Sequence, residues 1–549
     1  MIKKQISGIP FGLYRKIISL YADDILIYFN KLRDISVLRS ILINYSNFSG
    51  LFINETKCHV IQFGSTNWNT APFHSTNNTT YLGFNISANG ATVDWDNTLT
   101  LAAKSLSFWK KLPLGLFGKV NFFKMYALSL FRYYLPICKL AENTSKNVDN
   151  LLYWFLFNNS STFTQTKQYH HIIARTRLAA HWKKGGLNIP TLTTISDISK
   201  ASWIPRSWNQ HTTFWSKAIY SELHTTITHL RINAHPLISK KDHTKSIKIN
   251  TIKIITKAWR TFEPNGCWTT PNSNISIIDL DTELTKHKGR TISSNSNSTI
   301  YKKEYNLLKN NEELTNKHIQ PTTVNAETLK LCPPILTNAS NHDSIEAYLK
   351  ALKSRNLLEL KIMDPPLTNM QVKWQEMYEL NWKKIWKTIK KLKVRPGIKG
   401  FSWKLYHNSL PVLTNLHTNT TKCAFCDEEE TVTHLFINCN YTKQIANQIS
   451  KWWPEIPLTA FFLPGTILHQ EIIAIFRFTI WKQRCSILID NNTLPINNVT
   501  ILTFKLEIQR FLNAINEASI KKREERKLPP IITQDENNKL KCNWQDIPN

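Results

Sequence analysis

Two places in the sequence carry side chains whose types and spacing suit chemistry. In the first, Asp23 and Asp24 stand side by side inside "KIISLYADDILIYFN", between two apolar, β-forming runs. In the second, Cys423, Cys426, His434 and Cys439 make a C-x2-C-x7-H-x4-C arrangement within "CAFCDEEETVTHLFINC". Carboxylates fixed at a hairpin tip suit hard divalent cations, and two Mg²⁺ ions about 3.5–4 Å apart can bridge the attacking and leaving oxygens of nucleotidyl transfer. Three thiolates and one imidazole can close a tetrahedron around Zn²⁺, and four filled positions mark a structural site rather than a catalytic one.

Each place also has an ordinary alternative. Asp favours turns, and two hydrated carboxylates about 5 Å apart repel by only about 0.8 kcal/mol, so an exposed Asp-Asp turn needs no ligand. Scattered core cysteines are the alternative for the second. The surroundings favour chemistry at the first place, because an apolar strand, Tyr21-Ala22-Asp23-Asp24 and a second apolar strand make a rigid platform for the carboxylates.

The elements that must position these groups are legible as patterns. Residues 1–90 read as strands and short helices, with "KIISL" and "ILIYF" as the two arms of a hairpin. "YLGFNIS" alternates, with Leu82, Phe84 and Ile86 on one side, and predicts a half-buried strand. From about Trp109 the period becomes helical through Leu116, Val120, Phe123, Ala127, Leu130 and Phe131, until Pro136 stops it, and 91–210 is expected to be mainly helical. Within 211–365, the stretch from Pro271 to Thr299 is polar enough for a linker. The last segment, 366–549, opens on a helix in which Trp382, Ile385, Trp386 and Ile389 share a face while Lys383, Lys384, Lys387 and Lys391 lie off it, and it contains the Cys/His cluster. Its final helix is expected over about 497–526. The predicted class is α+β.

Charge points to the partner. Across 549 residues, Lys and Arg total 69 against 39 Asp and Glu, a formal charge of +30. Such an excess repels itself unless a polyanion meets it, and nucleic acid is the expected one. No apolar run reaches the roughly 18 residues that span a bilayer, and "MIKKQISGIPFG" has no apolar core of a signal peptide. The chain is therefore expected to be intracellular, with no membrane partner. Nine cysteines are too few for a disulfide scaffold of this length, and in a reducing compartment the clustered ones favour metal.

At Tyr21-Ala22-Asp23-Asp24 the sequence resembles the catalytic hairpin of reverse transcriptases, and "ISLYADDILIYF" is particularly similar to LINE-type, non-LTR retrotransposon enzymes. Segments that follow resemble the same family in the same order. "SGLFINETKC" is similar to the block whose lysine, here Lys57, sits near the incoming triphosphate and helps pyrophosphate leave. "YLGFNIS" resembles the strand that grips the primer end, here with Tyr81, Leu82 and Gly83. "FWKKLPLGLFGKVNFFKMYALSLFRYYLPI" resembles the helical thumb, where Lys119 and Lys124 would face the duplex backbone, and "HWKKGGLNIPTL", with Gly185, Gly186 and Pro190, matches a phrase found further downstream. The likeness covers about 16–210 and returns at the Cys-rich segment, usually credited with nucleic-acid binding. It implies the rear of a reverse-transcriptase palm over 1–90, a helical thumb over 91–210, a variable region over 211–365 and a helical C-terminal region with a zinc-knuckle-like segment. It further implies Mg²⁺ on Asp23 and Asp24, Zn²⁺ on the Cys/His set, an RNA template and DNA primer or target as partners, and a life divided between cytoplasmic ribonucleoprotein and nucleus.

One departure bears on activity. The family's palm uses a third carboxylate on a strand before the hairpin, and none of the 20 residues before Tyr21 is Asp or Glu. The fingers, the template grip and the endonuclease domain are likewise expected to be missing. The chain is therefore expected to be a truncated or partial polymerase, inactive alone. The alternative from another class is a non-catalytic nucleic-acid-binding protein made of thumb and Cys-rich domain.

Overall fold

The computed structural model describes residues 5–11, 14–22, 24–64, 73–169, 172–209, 213–219, 249–261, 365–416, 421–461, 465–490 and 497–518, with a few isolated positions and short strand pairs besides. Asp23, most of the polar stretch from Pro271 to Thr299 and the end of the last expected helix lie outside the described residues. Mixed helices and small, mostly antiparallel sheets make up the fold, with helix predominating. The chain divides into two compact units: Met1–Thr98 with Leu130–Ser145 and Leu192–Lys361, and Leu99–Ser129 with Lys146–Thr191 and Ile362–Asn549.

The first unit begins with a small hairpin, β1 (Ile9–Phe11) and β2 (Tyr14–Lys16). It is followed by β3 (Ile18–Tyr21) and β4 (Asp24–Ile27), which pair antiparallel with Ile18 opposite Ile27, Leu20 opposite Ile25 and Tyr21 opposite Asp24. Ile17 and Ile27, at the hairpin base, pack with Ile6, Phe73 and the buried face of helix α1 (Arg33–Ser49), which contributes Ile35 and Leu38. Towards the tip the cover ends, leaving Leu20 65% and Ile25 55% exposed. Gly50 ends α1 at φ +71°, a left-handed cap that only glycine adopts without strain, with its amide bonded to the Ser46 carbonyl at 2.9 Å.

Beyond the short parallel pair β5 (His59–Val60) and β6 (His74–Ser75) lies a three-stranded meander. It consists of β7 (Asn78–Tyr81), β8 (Phe84–Ser87) and β9 (Gly90–Thr92). "YLGFNIS" is thus a hairpin rather than one strand, because Leu82 and Gly83 turn the chain at φ +49° and +77°. Two consecutive left-handed residues are the signature of a tight type I′ connection, whose twist matches that of the strands it joins. The alternation read from the sequence survives only in β8, where Phe84 is buried and Asn85 exposed.

Helix α2 (Trp95–Lys110), which from Leu99 on belongs to the second unit, leads to α3 (Leu116–Phe123), and a π-turn over Lys124–Leu128 separates α3 from α4 (Ser129–Tyr134), which from Leu130 on belongs to the first unit. The wide turn resets the helical phase, so that Ala127 and Leu128 are both buried. Next come α5 (Glu142–Phe157) and α6 (Arg175–Ala179), and then the "HWKKGGLNIP" loop. The C-terminal part contributes α7 (Asn369–Tyr378), α8 (Trp382–Lys391), α9 (Pro396–Tyr406), α10 (Asn440–Ser450), α11 (Ile467–Asp490) and α12 (Asn497–Ala518). A reciprocal Thr368/Gln371 capping box starts α7, and the Asn381 side chain caps α8. Trp382, Ile385, Trp386 and Ile389 are buried as their spacing predicts, so the tryptophans of α8 are core.

The glycine pair of the loop explains itself at α8 and α9. Gly185, at φ +84°, lies so close to α8 that a Cβ there would come within 2.6 Å of the Trp386 ring, and one on Gly186 within 1.9 Å of the Ala180 carbonyl. The Gly185 carbonyl accepts from Trp403 Nε1 and from His407 Nε2, each at 2.8 Å. The His407 ring is buried, stacked on Trp386 with centroids 4.6 Å apart, and its Nδ1 has no partner among the described residues. Among the described residues, no helix is long and apolar enough to cross a membrane.

Burial holds the His407 imidazole neutral, down to about 3 from its ordinary 6.5. Between those values the unfolded chain binds about one proton more than the folded one, so stability is lost as pH falls from 6.5 towards 3. The expected slope from this residue is about 1.4 kcal/mol per pH unit, and His407→Gln should remove it. Urea denaturation of both chains, followed by tryptophan fluorescence between pH 6.5 and about 4.5, checks this; parallel stability curves would contradict it.

Candidate functional site

Tight turns position the candidate groups of the first unit. Tyr21 and Asp24 are the last paired residues of the β3–β4 hairpin, and Ala22 between them takes φ +50°. Both are exposed at its tip, so the platform expected from the sequence presents the Asp24 carboxylate outward. Tyr81, at the end of β7, lies close enough to this hairpin to sense it: burial first, then Tyr28 and Asp24, push its phenol above the ordinary range. Leu82 and Gly83 follow at the adjoining turn, where the Tyr133 hydroxyl donates to the Leu82 carbonyl at 2.8 Å. Phe84 packs on the rings of Tyr133 and Tyr134, both at 5.3 Å between centroids. Tyr133 is a positioning residue that the sequence did not reveal, since a tyrosine on a helix carries no signal of which loop it holds.

Lys57 stands apart. It is exposed on the 3₁₀ turn Glu55–Lys57, capped by Asn54, and no hydrogen bond or ion pair joins it to the Asp hairpin among the described residues. In the second unit Lys124 donates to the Leu187 carbonyl at 2.9 Å, while Lys119 is half-buried on α3.

The four C-terminal candidates converge fully. One ligand atom from each of Cys423, Cys426, His434 and Cys439 lies within 4.8 Å of all the others. The Cys426 sulfur is 3.2 Å from His434 Nε2 and 3.9 Å from the Cys439 sulfur. Zn–S bonds of about 2.3 Å in a tetrahedron place neighbouring sulfurs about 3.8 Å apart, so the set fits zinc. Local structure makes the convergence. A bridge between Lys422 and Glu429 folds the first two cysteines into a knuckle, with the Cys423 amide on the Glu428 carbonyl at 2.7 Å. A π-turn over His434–Asn438 then carries the chain from the histidine to Cys439, which opens α10. The hydrogen bond from Cys423 draws the Cys439 thiol down to about 5, helped by the Thr442 and Tyr441 amides, and pushes Cys423 up in exchange. A thiolate is thus favoured at a helix N-terminus before any metal arrives.

Glu430, between Cys426 and His434, ties this loop to the helices. It is fully buried, pairs with Arg484 of α11 at 2.6 Å, and accepts from the Leu413 amide at 2.9 Å. Its neighbours Glu428 and Glu429 are exposed, so nothing in "DEEE" singles it out. On the other side of the loop, Phe425 stacks on Tyr441 at 4.4 Å, and the Tyr441 hydroxyl meets Thr500 of α12 at 2.6 Å.

Two family models match the chain. Residues 1–86 match reverse transcriptase (RNA-dependent DNA polymerase), and residues 369–445 match the segment described as zinc-binding in reverse transcriptase. The first match contains the β3–β4 hairpin and all of the β7–β8 hairpin but Ser87, and the second all four Cys/His residues. Together they indicate a reverse transcriptase-like function, with nucleic acid as substrate and zinc as the metal of the C-terminal cluster.

Breaking the buried pair tests how the metal loop is held. Glu430→Gln strands the Arg484 charge and is expected to lower stability by roughly 3–5 kcal/mol, and to speed zinc loss to a chelator. Lys422→Ala, which removes an exposed pair with Asp427 at 3.3 Å, should shift stability by less than about 1 kcal/mol. Thermal melting with a chromogenic zinc assay reads both, and equal behaviour of the two variants would contradict the account.

Proposed function

We propose that this chain is part of the reverse transcriptase of a LINE-type, non-LTR retrotransposon, which holds an RNA template with a DNA primer or target. The observation that carries the reading is the match of residues 1–86 to reverse transcriptase together with that of residues 369–445 to the segment described as zinc-binding in reverse transcriptase. Asp23 and Asp24 would hold Mg²⁺, which when bound stabilises the charge developing on a transferred phosphoryl group. Tyr81, Leu82 and Gly83 would steady the primer end, Lys57 would assist pyrophosphate departure, and Lys119 and Lys124 would lie towards the duplex. Cys423, Cys426, His434 and Cys439 would hold Zn²⁺ as a structural centre. We place the working protein in a cytoplasmic ribonucleoprotein and in the nucleus.

Binding of primer–template would rest on the basic residues, and any extension on Asp23 and Asp24. The second reading, a non-catalytic nucleic-acid-binding protein, draws on the +30 charge. Both require binding that is steep in salt.

Fluorescence anisotropy and primer extension on an RNA template test this together. Binding is expected to survive Asp23→Ala and Asp24→Ala, and to weaken by roughly 10³-fold or more between about 50 and 200 mM salt if six or more phosphates are contacted. Extension that survives Asp23→Ala and Asp24→Ala would overturn the role given to the Asp pair. Absence of binding at low salt would overturn the nucleic-acid reading itself.

A further inference from the structure

We propose that Lys110, Lys119 and Lys404 form one binding site for a backbone phosphate of the bound nucleic acid. The three come from different elements of the second unit, the last residue of α2, the middle of α3 and the last turn of α9. The inference rests on the nucleic-acid reading above and adds a particular site to it.

Lys110 and Lys404 both lie against the C-terminal end of α5. Lys110 Nζ donates to the Trp154 carbonyl at 2.5 Å and lies 4.1 Å from the centre of the Trp154 ring. Lys404 Nζ lies 5.5 Å from the ring of Phe157, one turn further along the same helix. Lys119 is within Coulombic reach of both and repels both. All three side chains are half-buried. Among the described residues, no carboxylate pairs with any of them.

Helix capping alone does not account for this arrangement. The C-terminus of a helix carries about half a negative elementary charge, whereas three ammonium groups carry three positive ones. More than two charges are left unbalanced in surroundings that already disfavour them. Burial lowers all three lysines, Lys110 to about 8. By contrast, Lys383 and Lys387 on α8 are exposed and solvated. A phosphate oxygen is the ligand that removes this repulsion, because it accepts from several ammonium donors at once.

The neighbouring aromatics favour a nucleic-acid phosphate over a free one. Trp109 adjoins Lys110, and Phe122 follows Lys119 by one turn of α3. The Trp109 ring meets Phe122 at 4.2 Å and Tyr126 at 4.9 Å, and all three are only partly buried. Aromatic faces beside a cationic groove are the pattern on which bases stack while the backbone is held.

Lysine acetylation of the unmodified full chain, read residue by residue by mass spectrometry, tests the site. The chain is labelled free, with a short RNA–DNA duplex, and with inorganic pyrophosphate. The duplex is expected to protect Lys110, Lys119 and Lys404 together, several-fold, and to leave Lys383 and Lys387 unchanged. Lys119→Met is expected to lower the slope of log affinity against log salt by about 1. Duplex binding without joint protection would overturn the site and leave the nucleic-acid reading intact. Protection by pyrophosphate at concentrations where the duplex gives none would overturn the nucleic-acid occupant in favour of a free phosphate. No duplex binding at all would remove the functional reading, and the proposed occupant with it.

Discussion

The second unit depends on burying one ion pair, Glu430 with Arg484. The loop bearing the three cysteines and the histidine buries Val432, Leu435 and Phe436, and a buried ion pair fixes its course as well. Glu430 does so from inside the loop by bonding both a guanidinium of α11 and the Leu413 amide. A buried carboxylate is tolerable only with such partners, since desolvation exceeds anything a lone charge could recover. The requirement therefore works as a constraint: α11 must present Arg484 and the loop must present Glu430 at the same place. Once that is satisfied, Cys423, Cys426, His434 and Cys439 are left facing a common centre. A second buried carboxylate obeys the same rule elsewhere in the unit, where Glu507 of α12 gathers Arg395, Lys482 and Arg510.

In the first unit the constraint is conformational. Both candidate hairpins turn through left-handed residues that are not all glycine: Ala22 in one, Leu82 beside Gly83 in the other. A non-glycine residue holds such a conformation only when its surroundings determine it, and sites of this kind concentrate where a side chain must be aimed. Here the residues that flank the two turns include Asp24 and Tyr81. The exposed Leu20 and Ile25 at the tip show how little else covers the platform.

Much of this was legible in residue order. The Tyr-Ala-Asp-Asp hairpin declared itself because turn residues interrupt two β-forming runs, and the buried face of α8 because its apolar spacing matches a helix. The Cys/His set could be read because ligand spacing is local. What could not be read were contacts made across the chain. Gly185 meets Trp386, Trp403 and His407, more than two hundred residues away, so "HWKKGG" gave no sign of its partner. Period alone took "YLGFNIS" for a strand, because Leu82 is apolar and in phase; its positive φ is set by the turn. Glu430 looked like its exposed neighbours, and Lys110 and Lys404 like ordinary surface lysines, because burial is not a property of residue type for charged side chains.

The account's central claim is that four side chains converge on a zinc ion held by the core of the second unit. X-ray absorption at the zinc edge, on the purified full chain after dialysis, tests it most directly. The expected result is one zinc per chain with three sulfur neighbours at about 2.3 Å and one nitrogen at about 2.0–2.1 Å. A chain that retains no zinc, or zinc in an oxygen-rich shell, would contradict it.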